Sequence, residues 1–147
     1  MTRPWRHFLF LLPLVLGMGG AVAGEPLILT PEDALARVKA GDLTLIDVRR
    51  PDEWQATGMP QGSVGVTWDA QAVDGFIAQV EALAKGDKTA PLAVICRSGN
   101  RSARAQAALA AAGFTNVYDV STGVVGAPPE NGWIGRGLPV TMPGQED

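Results

Sequence analysis

Residues 94–104 read VICRSGNRSAR, and this stretch decides the predicted fold. An apolar run ends at Ile95, Cys96 follows directly, a polar loop turns at Gly99, and a helical pattern begins at Arg101. A strand that leads through a short loop into a helix is a unit of α/β proteins. In open parallel sheets, ligands bind at the carboxyl ends of the strands. The stretch therefore predicts an α/β fold with Cys96 at the edge where a site would form.

The sequence on both sides of this stretch alternates between apolar runs and helical patterns, which predicts a parallel sheet covered by helices on both faces. Besides the strand at 91–95, strands are predicted at 43–48, 63–67 and 116–120. Helices are predicted at 31–40, 51–56, 72–84 and 101–112. The first helix has a capping residue in Thr30 and proline in its first turn. Residues 121–137 are dense in glycine and proline and predict an ordered loop, after which residues 138–140 are expected to pack back on the body.

The totals limit what this chain can be. A chain of 147 residues that is 46% hydrophobic and 18% charged suits one globular domain. The net charge is -3 and no basic stripe is present, which argues against a nucleic-acid partner.

The N-terminal residues have the pattern of a secretory signal peptide. Arg3 and Arg6 precede an apolar run at 8–16, and residues 21–23 read AVA, a small-residue cleavage site. An uncleaved membrane anchor is the alternative, but the apolar run is short for a membrane span. We therefore expect a signal peptide at 1–23, a mature domain at 24–147, and a periplasmic or secreted protein without stable membrane association.

Cys96 is the single cysteine of the chain, and this is unusual for an exported domain. It is either buried and inert, paired with another molecule, or used chemically. The N–H groups of its loop and the N-terminus of the next helix both favour an anion. Arg97, Arg101 and Arg104 add positive charge nearby, whereas inert cysteines prefer apolar, uncharged settings. The pattern therefore favours a reactive thiolate.

Three separated motifs resemble those of rhodanese-like domains. CRSGNR at 96–101 resembles the six-residue active-site loop of that family. LIDVR at 45–49, with Pro51, Glu53, Trp54 and Gly58 after it, resembles the family's first signature. NVYDV at 116–120 and GLPV at 137–140 are similar to the usual last strand and terminus. The resemblance implies a rhodanese-like fold with a central, mostly parallel five-stranded sheet.

The resemblance also implies a thiosulfate sulfurtransferase in which Cys96 is the catalytic residue and carries sulfur as a persulfide. The donor would be thiosulfate or a similar sulfane compound, and the acceptor cyanide or a small thiol. Arg97 would steer the donor, and Arg101 would anchor the loop or the anion. The remaining substrate-binding residues would be Ser98, Gly99, Asn100 and Ser102. No metal or organic cofactor is implied.

Other functions remain open at this point. The domain could bind and carry sulfane sulfur without turnover, or sense redox state through an intermolecular disulfide. Phosphatases and arsenate reductases of this fold have a longer loop, with arginine six positions after the cysteine. Here arginine comes at five, Arg101, and Ser102 stands at six. The tighter loop suits a sulfur atom better than a tetrahedral oxyanion.

Some residues depart from the family pattern or allow two interpretations. The only histidine is His7, so the mature domain has no histidine base. Asp47 and Arg49 could face the site, but a structural ion pair that braces the loops is the preferred interpretation. The segment 123–133 is longer than the usual connection, and its Trp133 is expected to line the mouth of the site.

Overall fold

A computed structural model describes residues 24–145 of the chain. The helices are α1 (Pro31–Lys39), α2 (Pro51–Thr57), α3 (Val73–Leu83) and α4 (Asn100–Ala111). The longer strands are β2 (Thr44–Asp47), β5 (Leu92–Ile95) and β6 (Val117–Asp119). Six strands have two residues each: β1 (Leu27–Ile28), β3 (Met59–Pro60), β4 (Val64–Gly65), β7 (Gly126–Ala127), β8 (Glu130–Asn131) and β9 (Val140–Thr141).

The central sheet has five strands in the order β1-β6-β5-β2-β4, and every pairing in it is parallel. The predicted α/β class and five-stranded sheet are therefore confirmed. The fifth strand is β1, which the sequence pattern did not predict. Its residues Leu27 and Ile28 pair with Tyr118 and Asp119 at one edge of the sheet.

The core lies on the two faces of this sheet. One cluster joins Ile46 and Val94 to Phe76 of α3 and Leu109 of α4. The other joins Leu45, Ala93 and Ile95 to Ala34 and Leu35 of α1. Because alternate strand residues point to opposite faces, Val94 and Cys96 both belong to the α3–α4 side. The position of Cys96 at the end of a central, fully buried strand is thus fixed by packing on both faces.

The segment 121–137 differs from the predicted loop because it contains the hairpin β7–β8. The segment after it does pack back on the body, where β9 pairs antiparallel with β3. Trp133 does not line the mouth of the site. It is fully buried among the residues of the α1-side cluster, and its Nε1 donates to the carbonyl of Pro139 at 2.8 Å. Burial of the large indole ring outweighs exposure at a polar mouth.

The expected signal peptide at 1–23 lies outside the described residues. Within residues 24–145, no helix is long and apolar enough to cross a membrane.

Candidate active site

Cys96 lies where β5 ends and the loop to α4 begins. The residue is 1% exposed, and its sulfur accepts a hydrogen bond from the backbone N–H of Gly99 at 3.1 Å. The thiol also donates a hydrogen bond to the hydroxyl oxygen of Ser102, at a distance of 3.5 Å. Ser102 is fully buried in the first turn of α4, and its hydroxyl also donates to the carbonyl of Gly99 at 3.2 Å. The loop therefore curls around the sulfur and returns to it through the helix start.

Further N–H groups of this loop are free to bind an anion. Within the described part of the chain, no backbone or side-chain acceptor is assigned to the N–H groups of Ser98, Asn100, Arg101 and Ser102. The first N–H groups of a helix have no intrahelical partner, and they carry the positive end of the helix dipole. The sulfur thus sits beside a set of unused donors that favour negative charge.

Gly99 is required by the shape of the loop. Its φ is +98°, which is a left-handed conformation that side chains rarely adopt. A Cβ at this position would overlap the carbonyl oxygen of Ser121. The loop therefore packs so closely against the chain after β6 that only glycine fits.

The segment 123–133 after β6, called the insert below, hydrogen-bonds to the backbone of the active-site loop. The N–H of Val124 donates to the carbonyl of Cys96 at 2.8 Å, and the N–H groups of Val125 and Gly126 donate to the carbonyl of Arg97 at 3.0 and 3.1 Å. These bonds use the carbonyls of Cys96 and Arg97 and do not involve the N–H groups of the loop. The long segment that had no explanation in the sequence is thus a backbone brace for the loop.

Arg101 is paired with Glu53 of α2, so its guanidinium is not free to bind an anion. Its Nη1 and Nη2 donate to the two carboxylate oxygens of Glu53, each at 2.7 Å. The hydrogen bond from Arg101 lowers the pKa of Glu53 to about 2, while partial burial opposes the shift. The same bond raises the pKa of Arg101, and the nearby charge of Cys96 raises it further. Arg101 therefore anchors the loop while its charge still acts on the sulfur.

The other loop residues lie at the surface. Arg97, Ser98 and Asn100 are exposed, as is Arg104 on α4. Arg97 and Arg104 are one and eight positions after Cys96 in the sequence, and exposed positive charges on this loop and helix favour the approach of an anion from solution.

Asp47 and Arg49 form a buried ion pair on β2 and the turn after it. Arg49 Nη2 lies 2.7 Å from Asp47 Oδ2, with the side chains 1% and 0% exposed. The remaining guanidinium donors reach Thr57 Oγ1 and the carbonyl of Gly58, both at 2.8 Å. Its hydrogen bonds go to Asp47 of β2 and to the C-terminal end of α2, and none of them goes to Cys96. The pair joins β2 to α2, the helix that carries Glu53.

Two residues of the site were not predicted as such. Glu53 was recognised only as part of a motif and not as a site residue, and 48 positions of sequence separate it from Arg101. Asp119 ends β6 beside α4, is 3% exposed, and its Oδ1 has no hydrogen-bond partner among the described residues. The sequence signal that could have identified Asp119 is a carboxylate within a mostly apolar strand pattern. Among the described residues, no group of three or more potential metal ligands is present.

Fold and site together define a class of protein. A parallel five-stranded sheet carries one cysteine at the end of its central strand, inside a six-residue loop that opens a helix. A sequence profile of the rhodanese-like domain matches residues 30–127. This chain belongs to the rhodanese-like family.

Individual relatives agree with this assignment. The chain is 37% identical over 93 residues to thiosulfate sulfurtransferase GlpE of Pseudomonas savastanoi, covering 63% of this chain and 78% of that one. It is similar to the solution structure of a polysulfide-sulfur transferase homodimer from Wolinella succinogenes, with a TM-score of 0.55, 29% identity, and 81% and 80% of the two chains covered. The crystal structure of Rv0390 from M. tuberculosis matches with a TM-score of 0.60, 30% identity, and 76% and 93% coverage.

Proposed function

We propose that this protein is a sulfurtransferase that moves sulfane sulfur from thiosulfate or a similar donor to a thiol or cyanide acceptor. The observation that carries the proposal is the setting of Cys96. Its sulfur accepts the N–H of Gly99 at 3.1 Å, beside four further loop N–H groups that have no acceptor in the described chain. Relatives named thiosulfate sulfurtransferase and polysulfide-sulfur transferase support the substrate class.

The first half of the reaction loads the enzyme. The Cys96 thiolate attacks the outer sulfur of thiosulfate, the sulfur–sulfur bond of the donor breaks, and sulfite leaves with the bonding electron pair. A persulfide remains on Cys96, which makes this a case of covalent catalysis. The loop N–H groups stabilise the negative charge as it develops, in the manner of an oxyanion hole.

The second half returns the sulfur to solution. A cyanide carbon or a thiolate attacks the terminal sulfur of the persulfide, the persulfide bond breaks, and the Cys96 thiolate is restored. Arg97 attracts the anionic donor, because it is a charged, exposed residue that follows Cys96 directly in the loop. Arg101 contributes its charge from a fixed position, because Glu53 holds it. No step of this cycle needs a metal or an organic cofactor.

A turnover assay tests this proposal. The mature chain is mixed with thiosulfate and cyanide, and thiocyanate is measured with time beside the Cys96→Ser variant. We expect many thiocyanate molecules per wild-type chain and none above background for the variant. A single thiocyanate per chain would identify a sulfur carrier, and equal rates for both proteins would contradict the role of Cys96.

We further propose that residues 1–23 direct export, in support of which stands the order of arginines, apolar run and small residues. Fractionation of cells that express the full chain, with N-terminal sequencing of the product, tests this. Export predicts a periplasmic or secreted product that begins at Gly24. A cytoplasmic product with the leader intact would contradict it.

A further inference from the structure

Glu53 is a charged residue to which the proposed reaction assigns no contact with the substrate. It lies in the first turn of α2, and both of its carboxylate oxygens accept hydrogen bonds from Arg101, each at 2.7 Å. The backbone N–H of Arg50 also donates to this carboxylate at 3.0 Å, but the Arg50 side chain is 62% exposed. Because a charge-assisted bidentate pair fixes both groups in one geometry, the negative charge of Glu53 stays beside the Arg101 guanidinium.

Arg101 belongs to the part of the loop that surrounds the sulfur. It stands between Gly99, whose N–H donates to the Cys96 sulfur at 3.1 Å, and Ser102, whose hydroxyl oxygen lies 3.5 Å from that sulfur. The pKa of Arg101 is raised by Glu53 and further by the charge of Cys96. An anion that approaches the sulfur therefore interacts with the guanidinium and with the carboxylate together.

The other charged groups around the loop are arranged differently. Arg97 and Arg104 are exposed, where water and salt screen their charges. Asp47 and Arg49 are buried as an ion pair whose charges offset each other. Glu53 is thus the acid that is held directly against a basic residue of the active-site loop.

We propose that Glu53 is a specificity-determining residue, which offsets the charge of Arg101 and so disfavours doubly charged sulfur donors relative to singly charged ones. A Coulomb energy is proportional to the charge of the ligand, so a fixed negative charge disfavours a dianion twice as strongly, in free energy, as a monoanion. Thiosulfate is a dianion, whereas a persulfide or a thiosulfonate carries one negative charge. A repulsive element of this kind contributes to specificity as much as an attractive one does. The inference rests on the proposed function, because it concerns the donor of the same site.

Alkylation of Cys96, the single cysteine of the chain, tests the proposal without any sulfur donor. Iodoacetate carries one negative charge and iodoacetamide none, and the two reagents are close in size. The Cys96 thiolate displaces iodide from both, so the ratio of the two rate constants is independent of how much thiolate is present. Low ionic strength is used, since salt screens the charges under test.

Glu53→Gln keeps the shape of the side chain and removes its charge. We expect the ratio of the iodoacetate rate to the iodoacetamide rate to rise by about two- to fivefold. Arg101→Gln should lower the ratio by a similar factor, because the carboxylate then acts unopposed. Asp52→Asn is the control, since Asp52 precedes Glu53 on the same helix and is 71% exposed, and it should leave the ratio unchanged. An unchanged or lowered ratio in Glu53→Gln would overturn the proposal, as would an equal rise in Asp52→Asn.

The double variant Glu53→Gln/Arg101→Gln decides the question if Glu53→Gln alone does not fold. Charges that offset each other predict a ratio close to that of the wild type when both are removed. A ratio as low as that of Arg101→Gln would show that the Glu53 charge has no effect on anions, and this result would overturn the proposal.

A matched pair of sulfur donors extends the test to turnover. Methanethiosulfonate has a methyl group in place of one charged oxygen of thiosulfate, and therefore one charge less. With cyanide as acceptor, we expect Glu53→Gln to raise kcat/KM for thiosulfate by about two- to fivefold relative to kcat/KM for methanethiosulfonate. An equal change for both donors would mean that Glu53 acts only through the structure of the loop, which would overturn the proposal. Absence of turnover with either donor would contradict the proposed function, and the alkylation ratio would still decide the role of Glu53.

Discussion

Arg101 and Glu53 form a bidentate ion pair, in which both nitrogen–oxygen distances are 2.7 Å. The pair joins the helix that opens the active-site loop to the helix that follows β2. Charge-assisted, bidentate pairs of this kind are among the stronger hydrogen bonds in proteins. The position of the loop therefore depends on a residue from the other half of the chain.

Glu53→Gln tests this contact through its dependence on pH. Glu53 has a pKa of about 2 in the folded chain, against a usual value of 4.5, so its stabilisation is complete above about pH 4.5 and lost as the pH falls toward 2. We expect Glu53→Gln to lower the unfolding free energy by about 1–3 kcal/mol at neutral pH. The difference from wild type should shrink between pH 4.5 and 2 in urea titrations. Asp52→Asn, in an exposed pair on the same helix, is the control, and a constant difference at all pH values would contradict the account.

Gly99→Ala tests the close contact between the loop and the chain after β6. The left-handed backbone costs an alanine about 1–3 kcal/mol, and the overlap with the Ser121 carbonyl adds to this. We expect the variant to lose thermal stability and nearly all sulfur transfer. Gly86→Ala is matched, because Gly86 has φ of +76° with open space around its Cβ. Equal losses in both variants would mean that backbone conformation alone, and not the Ser121 contact, is responsible.

Arg49→Ala tests the buried ion pair beneath α2. The change leaves the Asp47 carboxylate without its partner in a fully buried position, which costs about 3–5 kcal/mol. Arg50→Ala is the control, since Arg50 is 62% exposed and should change stability by no more than about 0.5 kcal/mol. Unfolding by urea measures both. Equal stability of Arg49→Ala and wild type would show that the pair does not hold the domain together.

Trp133→Ala tests whether the insert belongs to the core. Trp133 is fully buried with its indole N–H bonded to Pro139, so truncation should cost about 3–5 kcal/mol. The adjacent Ile134 is 41% exposed, and Ile134→Ala should change little. If the insert holds the active-site loop in position, we expect Trp133→Ala also to lower the rate of sulfur transfer at temperatures where the domain is still folded. Full activity together with full stability would contradict this role.

The sequence predicted the part of the site that is local in the chain. The strand, the cysteine and the helix start lie within residues 91–102, and apolar pattern and turn chemistry specify them. The pairing of Glu53 with Arg101 could not be derived in this way, because it depends on how two distant helices approach each other. The strand β1 was missed because two residues give no periodic pattern.

The contacts of the insert could not be predicted from the sequence either. Its glycines and prolines indicated turns, but its bonds to the carbonyls of Cys96 and Arg97 follow from the tertiary position of the hairpin. Trp133 was expected at the site mouth from its sequence position, whereas the packing of the insert places it in the core. Asp119 was recognisable as a polar residue in a buried strand, but its burial beside α4 depends on how β6 packs against that helix.

The central claim is that Cys96 receives a sulfur atom, and intact mass measures this most directly. The purified protein is incubated with thiosulfate and separated from small molecules, and its intact mass is measured beside that of Cys96→Ser. The account predicts a gain of one sulfur atom per wild-type chain, removed by cyanide, and no gain in the variant. An unchanged wild-type mass, or the same gain in Cys96→Ser, would contradict it.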